Sequence, residues 1–471
     1  MRNQFLCFRR ISVVLAVLMS LLGVAQGLEA REGKSRTRRV TQRSAVMSSS
    51  VLTPPTPVNQ RYPFLWGVST AGYQYEGGND TSVWKRFEET GAVPMKCGRA
   101  ANGFELFEAD LDRARAMGLN AFRTSIEWGR IEPRQGEIDP AGVAFYHRLF
   151  QGMRKRGLTP VVTLVHFSWP QWLEDDLGGW QNPHSLRAFS RYVDFVSKEY
   201  GAEVDWWLTF NEPTVIILGG FATGQLAPGL KKPLLAAKVA RHWVEAHKAA
   251  YDIIHCNDTQ AMVGFNNYTG TYNVLGHDLI HFNIDSRRVS LSTSTLDKPW
   301  LELADPMRGK HLDYVGIDYY CRWRLPQAFT PAYTWEPAPE GFYQVIRNYH
   351  RVFRVPVLIA ENGMATRNLQ PRTDGWTREA FLVQHVRQMQ RAMREGVPVL
   401  GYIHWSITDN YEWGSYEPRF GLYSVECAAE DFRRLPTSAV AVYREIATSG
   451  GVSDALAARF PAPVGRSKTG D

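Results

Sequence analysis

Two glutamates, Glu212 and Glu361, each close an otherwise apolar stretch, WWLTFNEP (206–213) and PVLIAENG (356–363). A pair of carboxyl groups across a cleft is what cleavage of a glycosidic bond requires, with one acid to protonate the leaving oxygen and one carboxylate to act as nucleophile or base. A single strand-end glutamate is ordinarily a capped or salt-bridged one. Here the other apolar stretches also finish on polar or aromatic groups. Gln74 lies just past the first, Arg123 and Glu127 lie in the second, His166 in the third, Asn211 before Glu212, and Asp318 and Tyr320 in the sixth. Trp405 ends the eighth, with Glu412 and Trp413 beyond it.

The stretches that must position these groups are 64–71, 121–128, 159–167, 206–213, 261–268, 312–320, 356–362 and 399–406. Segments of helical period separate them. Phe107, Leu111 and Ala114 precede Gly118; Tyr146, Leu149, Phe150 and Met153 precede Gly157; Leu186, Phe189, Val193, Val196 and Tyr200 precede Gly201. Each glycine suits the left-handed position that ends a helix. Alternating strand and helix predicts parallel strands with right-handed crossovers, and eight of them can close into one (β/α)8 TIM barrel over 60–448, with its active site at the C-terminal strand ends. An open doubly wound sheet would carry a Gly-rich first turn, and GYQYEGG (72–78) does not match GxGxxG.

TFNEP (209–213) and IAENG (359–363) resemble the two catalytic signatures of glycoside hydrolase family 1, the retaining β-glucosidase/β-galactosidase family. The resemblance continues in WGVSTAGYQYEGG (66–78), FRTSIEWGRIEP (122–133), VVTLVHFSWPQWL (161–173), GGW (178–180) and HWSITDNYEWGSYEPRFGLYSV (404–425). It implies that Glu212 is the general acid/base and Glu361 the nucleophile. Asn211 would bond the sugar 2-hydroxyl, while Gln74, His166, Glu412 and Trp413 hold the other hydroxyls and Trp405 forms the stacking floor. Arg123 and Tyr320 would flank the nucleophile. Two departures stand out: Phe167 follows the histidine where the family usually has Trp, and Asp318 replaces an Asn. A carboxylate at 318 is expected either to perturb the nucleophile or to be neutralised by Arg123. Segments 89–103 and 269–310 look short, so an open aglycone side is expected.

The resemblance implies hydrolysis of terminal β-glycosyl residues, with β-glycosides or oligosaccharides as partners. A 6-phospho-β-glycosidase is the alternative within the family, and Glu412 would repel a phosphate. A non-catalytic carbohydrate-binding relative is the other alternative, and it would be marked by loss of a glutamate that is present here. No HExxH, Walker or dinucleotide fingerprint occurs, so neither metal nor organic cofactor is expected.

The chain has 471 residues and a net charge of +7, all of it carried by residues 1–44, with nine Lys/Arg against two Asp/Glu. The neutral remainder gives no support to nucleic-acid binding. Arg2, Arg9 and Arg10, the apolar run 13–25 and the small Ala25 and Gly27 read as an export signal over 1–27, which predicts a secreted or periplasmic protein without stable membrane insertion after cleavage. An uncleaved anchor, or a start at Met47 and a cytoplasmic protein, are the alternatives. Residues 28–59 read as a basic, Pro-containing lead-in and 449–471 as a frayed tail. The five cysteines are too scattered for a disulfide framework or a zinc site, and oligomeric state is left open.

Overall fold

A computed structural model describes residues 63–274, 277–280, 298–304, 310–324 and 330–463. The expected export signal, the basic lead-in and residues 464–471 lie outside the described residues, as does much of 269–310. Each of the eight apolar stretches forms a strand: β1 (Leu65–Ser69), β2 (Ala121–Ser125), β3 (Thr159–Val165), β4 (Trp206–Asn211), β5 (Met262–Val274), β6 (Val315–Arg324), β7 (Val357–Asn362) and β8 (Val399–Trp405). All are parallel. β1 pairs with both β2 and β8, and β4 pairs with β5, so the sheet closes into a barrel with no free edge between consecutive strands. A short strand, His277–Ile280, adds antiparallel to β5.

Alternation along the strands separates two cores. Leu65, Ala121, Val161, Trp206, Leu208, Tyr314, Leu358, Ala360 and Ile403 pack together as one buried cluster that plugs the barrel. The outward residues pack under the helices α1 (Gly103–Ala116), α2 (Pro140–Lys155), α3 (Pro183–Tyr200), α4 (Pro233–Asn257), α5 (Pro339–Phe353), α6 (Arg378–Arg394) and α7 (Ala439–Ser449). The helical periodicity holds: Phe107, Leu111, Ala114, Tyr146, Leu149, Phe150, Met153, Phe189, Val193, Val196 and Tyr200 are all buried. Asp139 and Asn182 cap α2 and α3 by accepting from the Ala141 and His184 amides, contacts worth about 1 kcal/mol each. No helix among the described residues is long and apolar enough to cross a membrane. Cys97, Cys256, Cys321 and Cys427 are free thiols.

Two expectations are corrected. Gly118 and Gly157 are left-handed as expected, with φ of 74° and 69°, but Gly201 has φ −59°. After α3 the chain continues in a right-handed turn in which the Glu203 and Val204 amides both bond the Tyr200 carbonyl. Glycine is needed there for closeness instead, because a Cβ would lie 2.6 Å from the Ser197 carbonyl oxygen. The tail does not fray at Ser449. Asp454–Arg459 forms α8, capped by Ser453 accepting from the Leu456 amide at 3.1 Å, with Leu456 and Ala457 buried. Its apolar side gives the last residues a surface to pack on, which a composition rich in Gly, Ala and Pro obscures.

Candidate active site

The strand ends converge at the C-terminal mouth of the barrel. β4 ends at Asn211, and Glu212 then takes a left-handed conformation, φ 40° and ψ 56°, before Pro213 opens a helical turn. Phe167 and Trp413 are also left-handed, at φ 64° and 46°. Such conformations cost of order 1–3 kcal/mol each for non-glycine residues and persist only where the surroundings enforce them. β7 delivers Glu361, and Gly363 just beyond it passes so close to β8 that a Cβ would sit 2.0 Å from the Trp405 carbonyl oxygen. One oxygen from each of Glu212, Asp318 and Glu361 lies within 4.8 Å of the others.

The two glutamates are prepared differently. Glu361 accepts from Arg123 Nη1 at 2.5 Å and from the Tyr320 hydroxyl. Arg123 is fully buried and reaches from β2 across the barrel mouth; it also donates to Asn211 Oδ1 at 2.6 Å, Thr163 Oγ1 at 3.2 Å and the Ala360 carbonyl at 3.3 Å. The planar guanidinium thus aims the Glu361 carboxylate and the Asn211 amide together, a task for which its rigid fork suits it better than an ammonium. Glu212 forms no ion pair among the described residues. Burial, and then the negative Asp318 and Glu361, push its carboxyl well above the usual range, so it keeps its proton. A proton-holding acid beside a carboxylate aimed by two donors is the division of labour that glycoside cleavage uses.

The remaining candidates line the same pit. Gln74 Nε2 donates to the Tyr411 carbonyl at 2.9 Å, to Asn410 Oδ1 at 3.2 Å and to Glu412 at 3.4 Å, leaving its buried Oε1 unpartnered. His166 stacks between Trp405 and Trp413, with ring centroids 6.0 and 6.1 Å away. Burial, and secondarily Arg123, hold it neutral, and its Nδ1 has no partner. Trp405 donates to Glu412 Oε1 at 3.2 Å. Burial pushes Glu412 up to about 8. The Trp413 ring is fixed against Trp84 and Phe167, at 4.7 and 4.9 Å, so Phe167 fills space behind it. Unpartnered polar atoms beside flat rings suit a ligand with many hydroxyls and an apolar face.

All ten predicted site residues therefore meet in one place. Arg123 acts on Asp318 through its charge but makes no hydrogen bond to it, since its hydrogen bonds go to Glu361, Ala360, Thr163 and Asn211. Asp318 instead accepts from Asn266 Nδ2, which also bonds Asn211 Oδ1 at 2.5 Å. Asn266 and Asn410 were missed by sequence reasoning. Asn266 sits near the end of the fifth apolar stretch, VGFNNYTG (263–270), and carries the same signal as the other strand tips.

Glu127 lies at the end of the second apolar stretch. It forms a buried carboxyl pair with Glu76 beneath the site. Glu127 Oε1 accepts from the Tyr73 amide at 2.9 Å and Ser125 Oγ from the Gly72 amide at 2.7 Å, which clamps the turn carrying Gln74. Tyr146 and Arg130 bond Glu76 at 2.8 and 2.9 Å. Burial, and then Glu76, raise Glu127 to about 8. Its folded pKa thus exceeds its unfolded value, about 4.3. The stabilisation it carries is complete below that unfolded value and is lost as pH rises toward 8. Glu127→Gln, which stays neutral, should flatten the fall in unfolding free energy between pH 5 and 8 by at least about 1.4 kcal/mol, one pKa unit's worth. Urea unfolding of both proteins at pH 5, 6.5 and 8 checks this, and parallel curves would refute it.

The chain matches the profile of glycosyl hydrolase family 1 over residues 58–275 and 310–452. It is 29% identical to beta-glucosidase A of Thermotoga maritima, over 83% of this chain and 98% of that one. It is 27% identical to the beta-galactosidase of Pyrococcus woesei, over 83% and 97%. Among solved structures, the beta-glycosidase of Pyrococcus horikoshii superposes with a TM-score of 0.73 at 29% identity, covering 87% of this chain and 99% of its own. The profile match spans well over half of the chain and includes both strand ends that carry the paired glutamates; this protein belongs to glycosyl hydrolase family 1.

Proposed function

We propose that the chain is a retaining β-glycosidase that hydrolyses terminal non-reducing β-D-glycosyl residues by double displacement, with β-glucosides preferred. The observation that carries this reading is the closeness of the two glutamates. Carboxyl oxygens within 4.8 Å fall by the retaining spacing of about 5–5.5 Å and well short of the roughly 6.5–9.5 Å that leaves room for a water. In the first step Glu212 protonates the glycosidic oxygen while Glu361 attacks the anomeric carbon; the aglycone leaves and a glycosyl ester forms. In the second, Glu212 takes a proton from water, the water oxygen attacks the same carbon, and Glu361 is released. Arg123 and Tyr320 hold Glu361 in place through both displacements.

Proton NMR of the first-formed sugar tests the stereochemistry, because a retaining enzyme releases the β-anomer from a β-glycoside and an α-anomer would overturn the reading. Relatives named for glucosidase and for galactosidase activity match about equally well, so preference is decided by the glycone pocket. Glu412 faces that pocket beside Gln74 and Trp405. Hydrogen bonds between a neutral carboxyl and sugar hydroxyls contribute about 0.5–1.5 kcal/mol each, so Glu412→Ala should lower kcat/KM on an aryl β-glucoside by up to about ten-fold per lost bond, with little change in folding. Specificity constants unchanged for glucoside, galactoside and fucoside would remove Glu412 from the glycone site.

A further inference from the structure

Asp318 is the one carboxyl group in the catalytic cluster with no assigned work. It lies on β6 as the register partner of Glu361 on β7, at a local irregularity between Ile317 and Asp318, and is fully buried. Its Oδ2 accepts from Asn266, while its Oδ1 is buried without a hydrogen-bond partner. The charged and titratable groups facing it are Arg123 from β2, Glu212 after β4, Glu361 from β7 and Tyr320 on its own strand, with Glu412 acting on Glu212 from beyond β8.

The charges in this pit do not balance if every acid is ionised. Three carboxyl groups share a single guanidinium, whose nearest hydrogen bond is to Glu361. A buried carboxylate with one bare oxygen and like charges on two sides is the least favourable of the available states. One proton held between Asp318 and Glu212, an oxygen of each of which lies within 4.8 Å of the other, removes one of the two charges. We propose that Asp318 is a positioning residue for the acid step: it and Glu212 share a single proton, and so the pair keeps a proton for the leaving group in more alkaline solution than Glu212 could alone. The inference rests on the reading of Glu212 as the acid. Burial raises both groups well above the ordinary range, each reinforced by neighbouring carboxylates, which agrees with a pair that titrates as a unit. No net chemistry falls to Asp318. When Glu212 gives the shared proton to the leaving oxygen, the pair is left without it while Glu361, now esterified, carries no charge, and the proton taken from water in the second step restores the pair.

Asp318→Asn tests this, because the amide keeps the shape and an acceptor for Asn266 but cannot titrate. On an alkyl β-glucoside, which needs the acid, the alkaline limb of the kcat/KM profile should move to lower pH by about one unit or more, the coupling at which paired groups titrate together. The acid limb should stay in place. On a dinitrophenyl β-glucoside, whose leaving group needs no proton, the same substitution should leave the profile unshifted. A uniform loss at every pH on both substrates, or an unmoved alkaline limb in an active enzyme, overturns the inference and leaves the proposed function standing. A wild-type protein inert on every β-glycoside overturns both. Should the variant not fold, infrared spectroscopy of wild-type protein labelled with carboxyl-13C aspartate decides. At pH 8, Asp409, pushed up to about 6 by burial, is ionised, so a remaining protonated-aspartate band supports Asp318 as its holder and the absence of any such band overturns it.

Discussion

Glu361→Gly should make every β-glycoside nearly inert, whatever its leaving group, with a loss on the order of 10⁴-fold or greater, as deletion of a covalent nucleophile produces. The variant leaves Arg123 buried without its carboxylate, and breaking a buried pair from one side costs roughly 3–5 kcal/mol, so thermal unfolding should accompany the assay. Azide or formate fits both vacancies, the negative charge and the nucleophile. Added to the variant with an activated aryl β-glucoside, azide should attack from the face that Glu361 occupied, restore turnover with saturable dependence, and yield the α-glycosyl azide. Activity within ten-fold of wild type, or a β-azide product, would remove Glu361 as nucleophile.

Glu212→Ala should fail in a different way. The first step on a dinitrophenyl β-glucoside should survive, since that leaving group departs unprotonated. The first step on alkyl glycosides and disaccharides should fall by about 10²–10⁴-fold, the usual scale of general acid assistance. The second step loses its base on every substrate, so glycosyl-enzyme should accumulate with activated substrates and appear in intact-protein mass spectra as a covalent hexosyl adduct. Equal losses on activated and unactivated substrates, with no adduct, would show that Glu212 is not the proton donor. The contrast between the two variants follows from their surroundings: Glu361 has donors on both oxygens, whereas Glu212 sits among carboxyl groups that raise it.

The glutamate pair, the barrel and the residues on its rim were legible in the chain because their signals are local. A run such as PVLIAENG is apolar until the strand leaves the core, and a strand that buries both faces must change character where burial ends. Eight such changes in order, with helical periods between them, leave little besides a closed barrel, and the structure places every one of the eight strands where its apolar run predicts. Glycine stops were legible where they answer to left-handed geometry, as at Gly118 and Gly157, and misleading at Gly201, where the constraint is a carbonyl one turn back.

What depended on tertiary structure is the set of partnerships across the barrel mouth. That Arg123 joins Glu361 to Asn211, that Asn266 bridges Asn211 to Asp318, and that Glu76 meets Glu127 under Gln74 all join residues about 50 or more positions apart in sequence. The fate of Asp318 shows the limit most clearly. Its residue type announced an added negative charge, but whether Arg123 cancels it depends on which of several carboxyl groups the guanidinium reaches first. In a buried site, protonation is a property of the whole cluster, because each charge is set by the distance to the others and by the water excluded from among them. Sequence order carries the first only through the fold, and the second not at all.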